Sequence, residues 1–216
     1  MKIIDLSHCI NEQMPVFPNT AAPQLTPILT VAQHGFGETM LRMMSHTGTH
    51  IDAPAHMIAG AAGLDDFPVD KFFGLALIID YPPCAGSIIE FKALQQMEEK
   101  IGRAEFVLFH TGHDKKWGQR EYFGAYATLS AKAAEYLASF PLKGIGIDAI
   151  SFDGIEVQHS PIHHILLGAN FILIENLSHL EQVEGEYCLL SVLPLKYGQA
   201  DGSPVRAVAI EMEVGI

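Results

Sequence analysis

Apolar and polar positions divide the chain into two regimes. The first third is rich in Gly, Pro and Thr between short apolar stretches, a pattern that predicts strands over Lys2–Leu6, Gln24–Ala32 and Met40–Ser45. A Pro-rich loop from Pro15 to Pro23 separates the first two. Further along, Leu75–Asp80 is a short apolar run closed by Pro82 and Pro83, which predicts a buried strand. Phe91–Ile101 has helical spacing, with Gly102 placed as a C′ glycine. Phe106–His110 reads as a strand, and Ala131–Ser139 as a helix with Ser130 at its N-cap. A strand over Gly144–Asp148, a short helix over Ile162–Leu167 stopped by Gly168, and a strand over Phe171–Glu175 follow. Glu186–Leu193 and Val205–Glu213 read as closing strands. Strands and helices alternate in the second half only, so the expected class is α/β, one mixed domain over residues 1–216, with the topology left open.

Composition narrows the function. Of 216 residues, 49% are hydrophobic and 18% charged, which excludes disorder. The mean hydropathy of +0.20 is high, yet the longest clean apolar run, Phe72–Ile79, is under half the roughly 20 residues a spanning helix needs. A deep core plus a subunit interface accounts for it better. A net charge of −12 repels nucleic acid and anionic membranes, so neither is an expected partner. The 11 histidines nearly equal the 13 Lys plus Arg, and neutral imidazole is the commonest metal ligand. Cys9, Cys84 and Cys188 form no CxxC pair, so neither a thiolate zinc site nor a disulfide framework is indicated. Asp5 interrupts what would be the apolar part of a signal peptide, and a cytoplasmic location is expected.

The chemistry concentrates in two places. In HTGTHIDAPAH, His46, His50, Asp52 and His56 share one parity. Alternate side chains of an extended chain share a face, so the first three can converge on one point. Gly48, Pro54 and two threonines argue against a helix here. Two imidazoles and a carboxylate suit a borderline divalent ion, Zn²⁺ first, with Mn²⁺ or Fe²⁺ possible. A turn that merely collects histidines would account for one of them, but not for three with an Asp in phase.

The second place is HSPIHHILLGANFILIEN, with His159, His163 and His164 first and Glu175 ending an otherwise apolar strand. The short helix climbs roughly 9 Å and the strand returns at roughly 3.3 Å per residue, so Glu175 finishes near His163. Burying that glutamate without a partner is costly. A metal would supply the partner, and so would a Lys or Arg.

Together these segments resemble the cyclase-family metal-dependent hydrolases, the family of bacterial kynurenine formamidase and isatin hydrolase. The resemblance also runs through IDLSH near the start, HTGHDKKWG at 110–118, GIGIDAISFD at 144–153, HHILLGANFILIENL at 163–177 and the closing PLKYGQADGSPVRAVAI. It implies a swivelling β/β/α fold, a homodimer or homotetramer, and a site with one or two metal ions. Matched by motif, His46, His50 and Asp52 would bind one metal and His163 a second, with Asp52 and Glu175 touching both. His56 would be the acid/base group. The implied substrates are small aryl amides, formamides or lactams whose C–N bond is opened by water. At VFPNT the family's kynurenine formamidases carry a tryptophan at the place of Phe17, where the ring packs on the substrate. Phe17 keeps the aromatic character without the indole, and Asn19 and Thr20 replace the usual Gly and Asp. That departure points away from formylkynurenine and leaves amide hydrolysis in place.

The expected mechanism follows from the ligands. A divalent ion brings the pKa of a bound water to around 7 and polarises the substrate carbonyl. Attack leaves an amine that must be protonated to depart, a step suited to His56. Asp148 and Asp153 are read as structural in preference to orienting ligand histidines. His110, His113 and Trp117 fit a substrate pocket and a solvated loop equally well, and His164 has no assigned role. No GxSxG elbow exists, and neither Cys9 nor Cys84 has a catalytic signature. No P-loop or GxGxxG run is present. Two alternatives stay open: a non-catalytic metal-binding protein on the same scaffold, and a cyclase or lactonase acting on another small carbonyl compound. The acid/base histidine beside five ligands favours an enzyme.

Overall fold

The computed structural model describes residues 1–81 and 86–211. Pro82, Pro83, Cys84 and the end of the strand expected to reach Glu213 lie outside the described residues. The strands are β1 (Lys2–Asp5), β2 (Gln24–Leu29), β3 (Glu38–Arg42), β4 (His50–Asp52), β5 (Phe73–Asp80), β6 (Ile88–Ile89), β7 (Phe106–His110), β8 (Thr128–Leu129), β9 (Gly144–Ile147), β10 (Ile172–Glu175), β11 (Tyr187–Ser191), β12 (Gly202–Pro204) and β13 (Val208–Glu211). The α-helices are α1 (Val31–His34), α2 (Phe91–Gln95), α3 (Glu98–Ile101), α4 (Ala131–Ala138) and α5 (Pro161–Gly168).

Nine strands form one mixed sheet in the order β1-β13-β11-β5-β7-β9-β10-β4-β12. Its centre, β5-β7-β9-β10, is parallel. The strands on either side pair antiparallel. Alternation along each central strand feeds two cores. Leu77, Ile79, Val107, Phe109, Ile145, Ile147 and Leu173 pack under α4 and α5 with Leu137 and Leu166. Ala76, Ile78, Phe106, Leu108, Ile172 and Ile174 pack on the opposite face with Ile51 and Leu190. Burial on both faces is why these strands read as unbroken apolar runs rather than alternating ones.

The α/β class is as expected, and the differences are local. The helix expected over Phe91–Ile101 is two short helices, α2 and α3, broken at Gln96 and Met97. Gly102 caps α3 with φ −65°, a right-handed conformation that uses none of glycine's special freedom. The strand expected to reach Ala32 stops at Leu29, and the chain turns into α1, which ends on left-handed Gly35 (φ 80°). Gly168 lies inside α5, and the left-handed residue that follows the helix is Asn170 (φ 65°). Ser130 caps α4 as expected, its Oγ accepting from the Ala133 N–H at 3.2 Å. No helix among the described residues is long and apolar enough to cross a membrane.

Candidate metal centre

Strand pairing assembles the centre. β4 carries His50 and Asp52 on one face, and its neighbours bring Glu175 opposite His50 and Gly202 opposite Asp52. His46 reaches the same point by a bend rather than an extended run, because Gly48 is left-handed (φ 65°). A Cβ at Gly48 would lie 3.3 Å from Ile10 Cγ1, so both backbone and space call for glycine. His163 enters from the first turn of α5, which follows Ser160 in a left-handed conformation (φ 38°) with Pro161 opening the helix.

The donors converge. His46 Nδ1 is 2.6 Å and His50 Nε2 3.3 Å from Asp52 Oδ1. On the other side, His163 Nε2 is 3.7 Å from Asp52 Oδ2 and 3.2 Å from Glu175 Oε1, while Glu175 Oε2 is 3.6 Å from His50 Nε2. Asp52 thus offers one oxygen to a His46/His50 group and the other to a His163/Glu175 group. Asp52 and Glu175 are 1% and 5% exposed, and both take imidazoles as ion-pair partners.

Each ligand-type histidine has one nitrogen turned inward and the other held from behind. His50 Nδ1 donates to Gly48 O at 2.8 Å. His163 Nδ1 lies 2.6 Å from Asp153 Oδ2, and the same carboxylate accepts the N–H groups of Ile162 and His163 at 3.0 Å each. His46 Nε2 lies 3.1 Å from Asp201 Oδ2. Asp153 therefore orients a histidine, against the structural role read from sequence. Asp148 does keep that structural role, accepting from the Thr111 N–H and hydroxyl and from the Gly112 N–H.

Electrostatics tests the fit of a cation. Burial opposes charge at His46 and His163. Asp52 and Asp201 nevertheless hold His46 at about 9, and Asp153 and Glu175 hold His163 at about 10. Burial likewise opposes ionisation of Asp52, but His46 and His50 keep it well below the usual carboxylate range. Burial, then the Asp52 charge, push Glu175 up. Bound protons thus balance the carboxylates, and a divalent cation would do so with better geometry. The donor set, all imidazole and carboxylate, fits such an ion.

His56 ends a short 3₁₀ turn over Pro54–His56 and stacks near His46, with ring centroids 3.9 Å apart. Its Nδ1 is 3.9 Å from Asp201 Oδ2. Burial above all pushes its pKa down to about 4, so it is a neutral imidazole at pH 7. The side chains of His46, His56 and Asp201 are 22%, 27% and 45% exposed, against 4% for His50 and 6% for Glu175, so the centre opens on their side.

The remaining candidates fall elsewhere. Phe17 stands 42% exposed in a turn closed by Thr20 and is not among the side chains gathered at the cluster. His113 is buried and bonds the Tyr122 carbonyl, and Trp117 stacks flat on His8 at 3.8 Å. His110 pairs with Asp80, and His164 is exposed against Ser160 O. Three positions escaped the sequence reading. Asp201 comes from a segment 155 residues after His46. Asn176, left-handed at φ 56°, donates to Gly48 O at 2.8 Å and accepts from the Tyr122 hydroxyl at 2.6 Å. An Asn closing an apolar strand was the available signal, since Asn tolerates that conformation. Nothing in local spacing marks Tyr122 or Asp201.

A mixed α/β sheet thus gathers three histidines and two buried carboxylates around one point, a donor set suited to a divalent ion. Comparison with known proteins agrees. The family model described as putative cyclase matches residues 4–154, and the chain belongs to that family. The kynurenine formamidase of Salinibacter ruber is 32% identical over 96% of this chain and 97% of its own. A structure described as a predicted metal-dependent hydrolase from Bacillus stearothermophilus is 30% identical, covers 96% of this chain and 97% of its own, and superimposes with a TM-score of 0.80. Isatin hydrolase A from Ralstonia solanacearum, 24% identical, shares the fold with a TM-score of 0.85 over 97% of this chain and 92% of its own. The protein is thus a hydrolytic enzyme of the cyclase family.

Proposed function

We propose that the chain is one catalytic domain that hydrolyses the C–N bond of a small aryl amide, formamide or lactam. His46, His50, Asp52, His163 and Glu175 hold one or two divalent ions in this reading, zinc foremost and manganese next. The observation that carries it is the pair of buried carboxylates, Asp52 and Glu175, facing inward-turned histidine nitrogens. The kynurenine formamidase similarity supports the substrate class.

A divalent ion held by these residues would acidify a water as nucleophile and would offer positive charge to the carbonyl oxygen. The chain's own residues do the rest. Asp153, Asp201 and Gly48 O fix the ligand rings, which sets the direction of attack. His56, neutral at pH 7, accepts the proton lost by the attacking water and returns it to the departing nitrogen. For a formamide the products are the free amine and formate, and one water is consumed. Substrate enters over His46, His56 and Asp201, and the resemblance at VFPNT assigns Phe17, which stands apart from the cluster, as an aromatic contact.

A dimer or tetramer is part of the proposal. Exposed apolar side chains on the β2–β3 hairpin and its turn support it: Ile28, Val31, Phe36, Met40 and Leu41 are 51–70% exposed. A cytoplasmic setting is also part of the proposal, and the free thiols of Cys9 and Cys188 fit it. A panel of aryl formamides, lactams and lactones, assayed with and without Zn²⁺ or Mn²⁺, tests the function. Turnover of formamides or lactams only with metal is expected, and turnover of lactones alone would turn the reading toward a lactonase.

A further inference from the structure

His46 faces two donor groups at once. Its Nδ1 looks inward to Asp52, and its Nε2 looks outward to Asp201, with His56 beside it. We propose that His46, His56 and Asp201 form a second, outer divalent-cation site, and that an ion held there inhibits the enzyme by occupying His56. The inhibitory part rests on the hydrolase reading above; the site itself does not.

The geometry carries the assignment. One ligand atom from each of the three residues lies within 4.8 Å of the other two, close enough to share one ion. The pairs on Asp201 Oδ2 measure 3.1 Å to His46 Nε2 and 3.9 Å to His56 Nδ1. Two imidazoles and a carboxylate are the donor types of a three-ligand zinc site with an open position for water. His56 presents its Nδ1 toward the same Asp201 oxygen that faces His46. Its approach is also the solvent side of the centre, where Asp201 is 45% exposed.

The outer site is the weaker of the two by construction. It has one carboxylate where the inner centre has Asp52 and Glu175, both buried. An outer ion also takes Asp201 away from His46 and displaces the Nε2 proton before that nitrogen can coordinate, so its binding releases a proton. With the ion on His56 Nδ1, the ring no longer alternates between accepting and donating a proton, and turnover stops. Metal therefore activates when it fills the inner donors and inhibits when it fills the outer ones.

The experiment titrates Zn²⁺ alone into metal-loaded protein. Bound zinc is counted by equilibrium dialysis in the wild type, His56→Gln and Asp201→Asn, and the wild type is assayed on an aryl formamide at each point. The wild type is expected to take up one equivalent more than either variant, and its hydrolysis to fall as that equivalent binds. Both substitutions sit at partly exposed positions and are near in shape to the original, and melting curves verify their folding. Equal zinc counts in all three proteins would overturn the outer site. Uptake without loss of hydrolysis would overturn its inhibitory role. Absence of hydrolysis at every zinc level contradicts the hydrolase reading instead, and the zinc count still decides the site.

Discussion

Gly202→Ala is a one-carbon change that should damage the centre without damaging the fold. Gly202 pairs with Asp52 across β12 and β4, directly under the His46 ring. A Cβ there would lie 2.4 Å from His46 Cε1, 2.8 Å from Nδ1 and 2.9 Å from Nε2. To regain ordinary contact the ring must retreat by about 1 Å. It is held at 2.6 Å by Asp52 and at 3.1 Å by Asp201, so that retreat breaks at least one of the two bonds. Overpacking of this kind costs about 1–3 kcal/mol. Most of that falls on ligand geometry, because the His46 side chain is 22% exposed and can swing outward. Metal affinity should drop roughly 10–100-fold, as when a ligand's orienting partner is lost. The melting temperature of the metal-free protein should move little. Competition against a chelator of known affinity reads the first quantity and a thermal scan the second. Wild-type metal affinity in Gly202→Ala would refute the placement of His46 against that strand.

Asp153→Asn should weaken metal binding by roughly tenfold or more, since the carboxylate that orients His163 loses its charge; unchanged affinity by the same chelator assay would remove Asp153 from the centre. Glu175→Gln removes a formal charge and an anionic oxygen together and should weaken binding further still, measured as metal retained after dialysis. His56→Ala should keep near-normal occupancy of the inner donors and lose roughly 10²–10⁴-fold in turnover, whereas His50→Ala should lose inner-site metal first. The metal-free protein should have a distinctive pH profile. His46 and His163 titrate at about 9 and about 10 when folded and near 6.5 when unfolded. Their stabilisation is complete below pH 6.5 and fades as pH rises through 9 to 10. Metal affinity runs the other way and rises over the same range, because those protons must leave. Denaturation midpoints and metal titrations at pH 6.5 and 9.5 test both slopes.

What the sequence revealed follows the range of the interactions involved. His50, Asp52, His163 and Glu175 were legible because their geometry is local: two sit on one strand, and the others are joined by one helix and one strand. The central strands were legible because burial on both faces leaves unbroken apolar runs such as Phe106–Phe109. Asp201 was not, since only the pairing of β12 on β4 brings it to His46, and nothing near it in the chain records that pairing. Asp153 was visible as a residue and misread as structural, because its role depends on where α5 begins. The break between α2 and α3 and the right-handed Gly102 show the limit of a glycine as a stop signal: it permits a left-handed cap without requiring one.

Hydrolysis is expected to depend on metal held by these residues, and one measurement joins the two. The protein is stripped of metal, shown by elemental analysis to be empty, and reloaded stepwise with Zn²⁺ or Mn²⁺, while bound metal and aryl formamide hydrolysis are followed on the same sample. The expected result is no turnover in the stripped protein and a rate that rises with occupancy of the inner donors, in the wild type but not in His50→Ala. Hydrolysis that persists after stripping, or a protein that binds no first-row ion, would contradict it.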